Sequence, residues 1–169
     1  MAMSLHAFCD WLGQTPLSLM IQNVSWIIPT VQTIHIVCIA IVISSVFMMD
    51  LRLLNIAGRG QPTASYAARF LPWIWITLPI LLASGSILII GEPARSLENS
   101  AFQLKMALLI GAIIVTLILH RPIGKEPAYW ELTGNHKAWA KVIAVVSLCL
   151  WVGIVFAGRW IAYMNITGD

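Results

Sequence analysis

Polar residues leave four long gaps in this chain. Apolar side chains dominate residues roughly 27–49, 70–91, 102–120 and 139–162, and at about 1.5 Å per residue each run can cross about 30 Å of hydrocarbon as a helix. A helix satisfies its own backbone groups in lipid. The pattern therefore predicts an all-α integral membrane protein, a four-transmembrane-helix bundle forming a single transmembrane domain over residues 1–169. Ahead of the first run, residues 3–12 place Leu5, Phe8, Trp11 and Leu12 on one helical side and Ser4 and Asp10 elsewhere. That stretch is too short to span and predicts a short amphipathic N-terminal helix at the interface, ended by Gly13 and Pro16. Residues 17–25 are expected to lead the chain into the first span.

The polar stretches read as turns. The first, from Asp50 to Thr63, is broken by Gly58, Gly60 and Pro62, with Asp50 and Arg52 expected as a local ion pair. The second, Gly91 to Ser100, offers a Glu92–Arg95 pair and an Asn99 or Ser100 cap for the third long helix. The third, 121–137, is the longest. There is no tandem repeat.

With 59% hydrophobic and only 10% charged residues, the chain has no basic face for nucleic acid, and the net charge of +3 bears on topology instead. Seven of the ten cations (Arg52, Arg59, Arg69, Arg121, Lys125, Lys137 and Lys141) adjoin the first and third turns, against Arg95, Lys105 and Arg159 on the other side. By the positive-inside rule the first and third turns are cytoplasmic and both termini face outward, which in a Gram-negative inner membrane is the periplasm. Trp26, Trp73, Trp75, Trp139 and Trp160 lie near span ends, as interfacial aromatics do. Cys9, Cys38 and Cys149 form no disulfide pattern. Residues 1–12 lack the basic start and apolar core of a cleaved signal, so the N-terminus is expected to be retained. The sequons at Asn23 and Asn165 carry little weight.

Candidate chemistry centres on the first span. His35 is an ionisable side chain inside it, with Gln32 one turn away and Cys38 one turn beyond, and an intramembrane ionisable residue marks a site by default. Counted from the outer end, His35 lies roughly 9–14 Å deep, and Ser84, Gly85, Gly111 and Gly153 fall at roughly 9–12 Å on the other three helices. Small residues serve close helix packing, and Thr77, Ser84 and Gly91 repeat at sevens along the second span. They also leave room for a flat macrocycle, with His35 as axial ligand to a b-type haem. Gln32, Lys105 and Arg159 near the outer surface, and Arg95 in the loop above, are then candidates to pair with haem propionates, although Lys105 and Arg159 also suit plain snorkelling.

A second axial ligand is not evident. His120 is roughly 15–20 Å from His35 along the membrane normal and is expected, with His136, at the solvated inner surface. His6 would have to dip inward, and Met106 lies about one turn too high. Copper is the competing ligand, since His35, Cys38, Cys149 and the thioethers of Met48, Met49 and Met106 suit a soft metal. No carboxylate falls beside His35 to complete a hydrolytic site.

Several of these residues carry a resemblance. Trp11-Leu, Thr15-Pro-Leu-Ser18, Trp26-x-x-Pro29-x-x-Gln32-x-x-His35, Asp50-Leu-Arg-Leu-Leu54, Leu71-Pro-Trp73, Glu92-Pro-x-Arg95 and Phe102-x-x-Lys105-Met106 resemble an uncharacterised family of small four-helix bacterial inner-membrane proteins. More distantly, the first-span histidine with a lysine opening the third span is similar to HemJ-type protoporphyrinogen oxidases and CopD-like copper-resistance membrane proteins. That likeness implies a haem-associated His35 and a functional Lys105, although Gln103 stands where the former have a histidine.

The resulting expectation is a haem b-binding subunit that carries electrons between the quinone pool and a redox partner, within a larger membrane complex or homo-oligomer. The alternatives are a CopD-like copper-handling protein and a cofactor-free accessory subunit. Nothing in the residues demands a stand-alone enzyme.

Overall fold

The computed structural model describes the backbone of residues 5–58, 60–125 and 134–164, and the side chains of these except 120–125, 136 and 161–164. Seven helices follow in order: α1 (Leu5–Gly13), α2 (Pro16–Asn23), α3 (Ile27–Leu53), α4 (Thr63–Gly91), α5 (Pro93–Leu97), α6 (Ser100–Lys125) and α7 (Gly134–Met164). Four of them contain segments long and apolar enough to cross a membrane: Ile27–Leu53, Thr63–Gly91, Ser100–Leu119 and Lys137–Trp160. The chain is a four-span helical bundle with short helices at its N-terminal end.

α3 packs along α4, α6 along α7, and α3 against α7, whereas α4 and α6 touch only slightly. The bundle is thus two antiparallel hairpins joined through α3 and α7, and it is least closed between α4 and α6. Its interior falls into two clusters. Val42 and Val46 of α3 meet Ile74, Ala112, Trp151 and Ile154 in the middle. Met49 and Leu53 meet Ala67, Leu119, Ala140 and Ala144 at the end that bears the α3–α4 turn. The alanines let the helix backbones approach, which stands in for the hydrophobic driving force that lipid removes. Outward-facing Ile34, Ile36, Ile76, Leu82, Ile110, Ile114 and Phe156 form the apolar belt that a bilayer would cover.

The other end is capped by α1, α2 and α5. α2 is a helix where a simple connector was expected. Thr15 accepts a hydrogen bond from the Ser18 amide (3.3 Å) and Pro16 fills the first turn, so Thr-Pro-Leu-Ser is its start signal. The Ser18 hydroxyl donates to the carbonyl of Ile90 (2.6 Å), and Gln22 donates to Ser18 (2.9 Å). Together they tie α2 to the end of α4. Gly91 permits this docking, because a Cβ there would stand 2.9 Å from Ile21 Cγ2. α1 lies on α5, and Asn99 caps α6 by accepting from the Ala101 amide at 2.9 Å.

α4 starts seven residues before its expected span and runs through Pro72 and Pro79. At the turn before it, Asn55 and Gly58 adopt positive φ (59° and 62°). The Tyr66 ring occupies the space a side chain at Gly58 would need. Arg52 donates to the Gln61 carbonyl (2.8 Å) and to Asn55 Oδ1 (3.0 Å), fixing this turn. The expected Asp50–Arg52 ion pair does not form, because α3 continues to Leu53 and turns Asp50 into the bundle while Arg52 reaches the turn. Residues 3 and 4 of the expected interfacial helix, Arg59, most of the third turn and the Asn165 sequon lie outside the described residues.

Candidate cofactor site at His35

Antiparallel pairing sets the site. His35 comes eight residues after the start of α3 and Ser84 seven before the end of α4, so both lie roughly 10–12 Å along their helices from the capped end. His35 Nδ1 is 2.8 Å from Ser84 Oγ. The Ser84 hydroxyl has one proton, and its position 2.7 Å from the Ile80 carbonyl, with Leu81 at 3.2 Å, directs that proton back to its own helix. In the tautomer that matches this arrangement Ser84 Oγ accepts from His35 and Nδ1 carries the proton. Neutral imidazole has a single N–H, so Nε2 keeps its lone pair free for a ligand.

Gly85 makes the approach of the ring possible. A Cβ at this position would touch His35 Cε1 at 3.4 Å. On the other side of the bundle, Lys105 of α6 stretches across Gly158 of α7, with Cδ, Cε and Nζ each 3.9 Å from where a Cβ would sit. Its charge is near enough to act on the His35 ring. His35, Ser84, Gly85 and Lys105 thus gather at one level on three helices.

The remaining candidates lie elsewhere or point differently. Gly111 faces Leu150 (3.7 Å) and Gly153 faces Leu108 (3.3 Å), each glycine receiving a leucine from the partner helix. Between α6 and α7 these two positions are packing contacts. Gln32 is exposed one turn from His35, and Arg159 is exposed near the end of the α7 span. Arg95 pairs with Glu92 at 2.8 Å and lines an open cavity of about 550 Å³ under the cap, with Cys9, Asp10, Gln14, Gln22 and Glu92. His6 is engaged on the cap's surface, 2.8 Å from Glu98 and 3.6 Å from Asp10. The side chains of His120 and His136 lie outside the described residues.

Two further contributors were not legible in the sequence. Gly158, beside Arg159, is the bed for Lys105, and only the α6–α7 pairing reveals it. The carbonyl of Ile80 takes part by drawing the Ser84 proton, and a main-chain acceptor leaves no residue-type signal.

Cys38 is buried in α3 while Cys149 is exposed on α7, and among the described residues no group of three or more His, Cys, Asp or Glu side chains could hold a metal ion.

Residues 8–164 match the family of unknown function DUF6644. The chain belongs to that family. No curated protein and no solved structure matches it. The match spans nearly the whole chain and leaves its chemistry to be argued from the His35 site.

Proposed function

We propose that this chain is a membrane-embedded subunit that binds one b-type haem through His35 Nε2 and carries electrons between the quinone pool and a redox partner. The carrying observation is the contact of His35 Nδ1 with Ser84 Oγ, itself 2.7 Å from the Ile80 carbonyl, which supports the tautomer with an aprotic Nε2. Metal-binding histidines characteristically donate their other nitrogen in this way. A porphyrin brings four nitrogens of its own, so a site with one protein nitrogen and no ligand cluster suits haem better than a bare copper ion. Gly85 keeps one edge of the ring clear, and Lys105 supplies positive charge for a propionate at the same level. The slight α4–α6 contact is the side on which a flat ligand meets least helix packing.

When bound, haem supplies one-electron chemistry. The protein's part is to orient the imidazole, to exclude water by burial and to tune the potential through Lys105. We place the chain in the bacterial inner membrane with the capped end outward, on the strength of the seven-to-three cation asymmetry, as part of a larger complex or a homo-oligomer. Purification in mild detergent with haem supply, followed by oxidised and dithionite-reduced spectra and metal analysis, tests this reading. A Soret band lost in His35→Ala supports it. Stoichiometric copper without haem would support the CopD-like alternative, and no cofactor at full haem supply would support an accessory subunit.

A further inference from the structure

Among the described residues, every buried side-chain polar atom that lacks a hydrogen-bond partner belongs to one of three residues: Asp50 (both oxygens), Ser147 (Oγ) and Trp151 (Nε1). They share one place. Ser147 faces Asp50 from α7, close enough to act on it but short of hydrogen-bond geometry. Trp151 stands one turn from Ser147 on α7 and packs with Val46, one turn from Asp50 on α3. Asp50 is 1% exposed and Ser147 is 0% exposed.

Among the described residues no cation compensates an ionised carboxylate in this position. Among the described residues, the charged and titratable groups of the neighbouring elements are engaged or turned away: Arg52 goes to Asn55 and Gln61, Arg69, Lys137 and Lys141 are exposed, and Tyr66 covers Gly58. A buried charge without a partner neutralises instead. A metal cation would want about six oxygens, whereas Asp50 and Ser147 bring three and Trp151 presents an N–H. A carboxylic acid fits: its O–H and carbonyl match one acceptor-donor hydroxyl and one N–H donor, directly or through a single water.

We propose that Asp50, Ser147 and Trp151 form an intramembrane proton-binding site between α3 and α7, distinct from the His35 site and independent of haem. The bound species is a proton: the Asp50 carboxylate takes it from hydronium at the α3–α4 turn end, an O–H bond of hydronium breaking as the acid O–H forms and water leaving, and returns it to water there. About fifteen residues of helix, roughly 22 Å, separate Asp50 from His35, so each site is testable alone.

The test uses the full chain in lipid nanodiscs, labelled with carboxyl-¹³C aspartate. Only Asp10, Asp50 and Asp169 then report. At about pH 6, roughly two units above the ordinary aspartate value, the infrared spectrum is expected to show the C=O stretch of one neutral acid, absent from Asp50→Asn. Should that variant fail to fold, retention of the band in the Asp10→Asn/Asp169→Asn protein makes the same assignment. Ser147→Ala and Trp151→Phe are each expected to shift the band. A spectrum in which all labelled aspartates are ionised overturns the proposal, and a neutral-acid band that neither α7 variant moves overturns the three-residue site.

Discussion

At the residue scale, the behaviour of His35 depends on a hydroxyl that touches no ligand. Ser84→Ala removes the acceptor for Nδ1 and frees the ring to turn, and loss of such an outer partner typically weakens metal binding about 10–100-fold. Haem titration of the detergent-solubilised variant is expected to show a loss at the lower end of that range, because Nε2 itself remains. Lys105→Met removes a positive charge near the ring and is expected to lower the haem midpoint potential, since that charge disfavours the ferric form. A redox titration checks the sign. An intramembrane histidine at the right depth is legible in a sequence because it violates the local apolar pattern. Its tautomer is not, because it turns on the Ser84 proton and on Ile80's carbonyl, a group every residue type carries. Depth counting likewise placed Gly111 and Gly153 at the site's level but could not say that Leu150 and Leu108 fill them, because it does not determine which way a helix is rotated.

Elements show the same division between what composition marks and what pairing decides. The four long helices are plain as apolar runs, but their ends are not. α3 continues through Asp50, α4 begins back at Thr63 where the Tyr66 and Phe70 rings meet at a tilt with centroids 5.6 Å apart, and α2 hides in a stretch without apolar periodicity. The cap is the part most open to mutation. Gly91→Ala puts a methyl 2.9 Å from Ile21 Cγ2 and is expected to loosen α2 from α4 at a cost of about 1–3 kcal/mol, read as a lower melting temperature and faster amide exchange in α2.

The α1–α5 contact also responds to pH. The Glu98 hydrogen bond, then the charges of Asp10 and Glu98, raise His6 above the ordinary histidine value. Stabilisation from a raised histidine is fully present below the unfolded-state value of about 6.5 and is lost as pH rises through the folded value. Exchange protection of α1 is therefore expected to fall across that window in the wild type and to be flat in His6→Gln. The effect is small, because the pair is solvent-exposed.

For the whole molecule, two antiparallel hairpins joined through α3 and α7 leave α4 and α6 barely touching, and that asymmetry locates the proposed haem side. Orientation rests on where the cations lie. Gly60 is exposed with open space around it, so Gly60→Cys in a background lacking Cys9, Cys38 and Cys149 is expected to react with an impermeant maleimide only after the inner membrane is opened. Labelling in intact spheroplasts would reverse the topology. The bundle plan and its membrane class follow from hydropathy alone, whereas the buried Asp50–Ser147–Trp151 group appears only when α3 and α7 are set side by side.

The central claim is that His35 Nε2 ligates haem iron, and a reduced-minus-oxidised absorbance spectrum of the protein purified under full haem supply, beside that of folded His35→Ala, tests it most directly. Binding through His35 gives a b-type α band and Soret shift in the wild type and their loss in the variant. A featureless wild-type spectrum, or the same spectrum in both proteins, would contradict it.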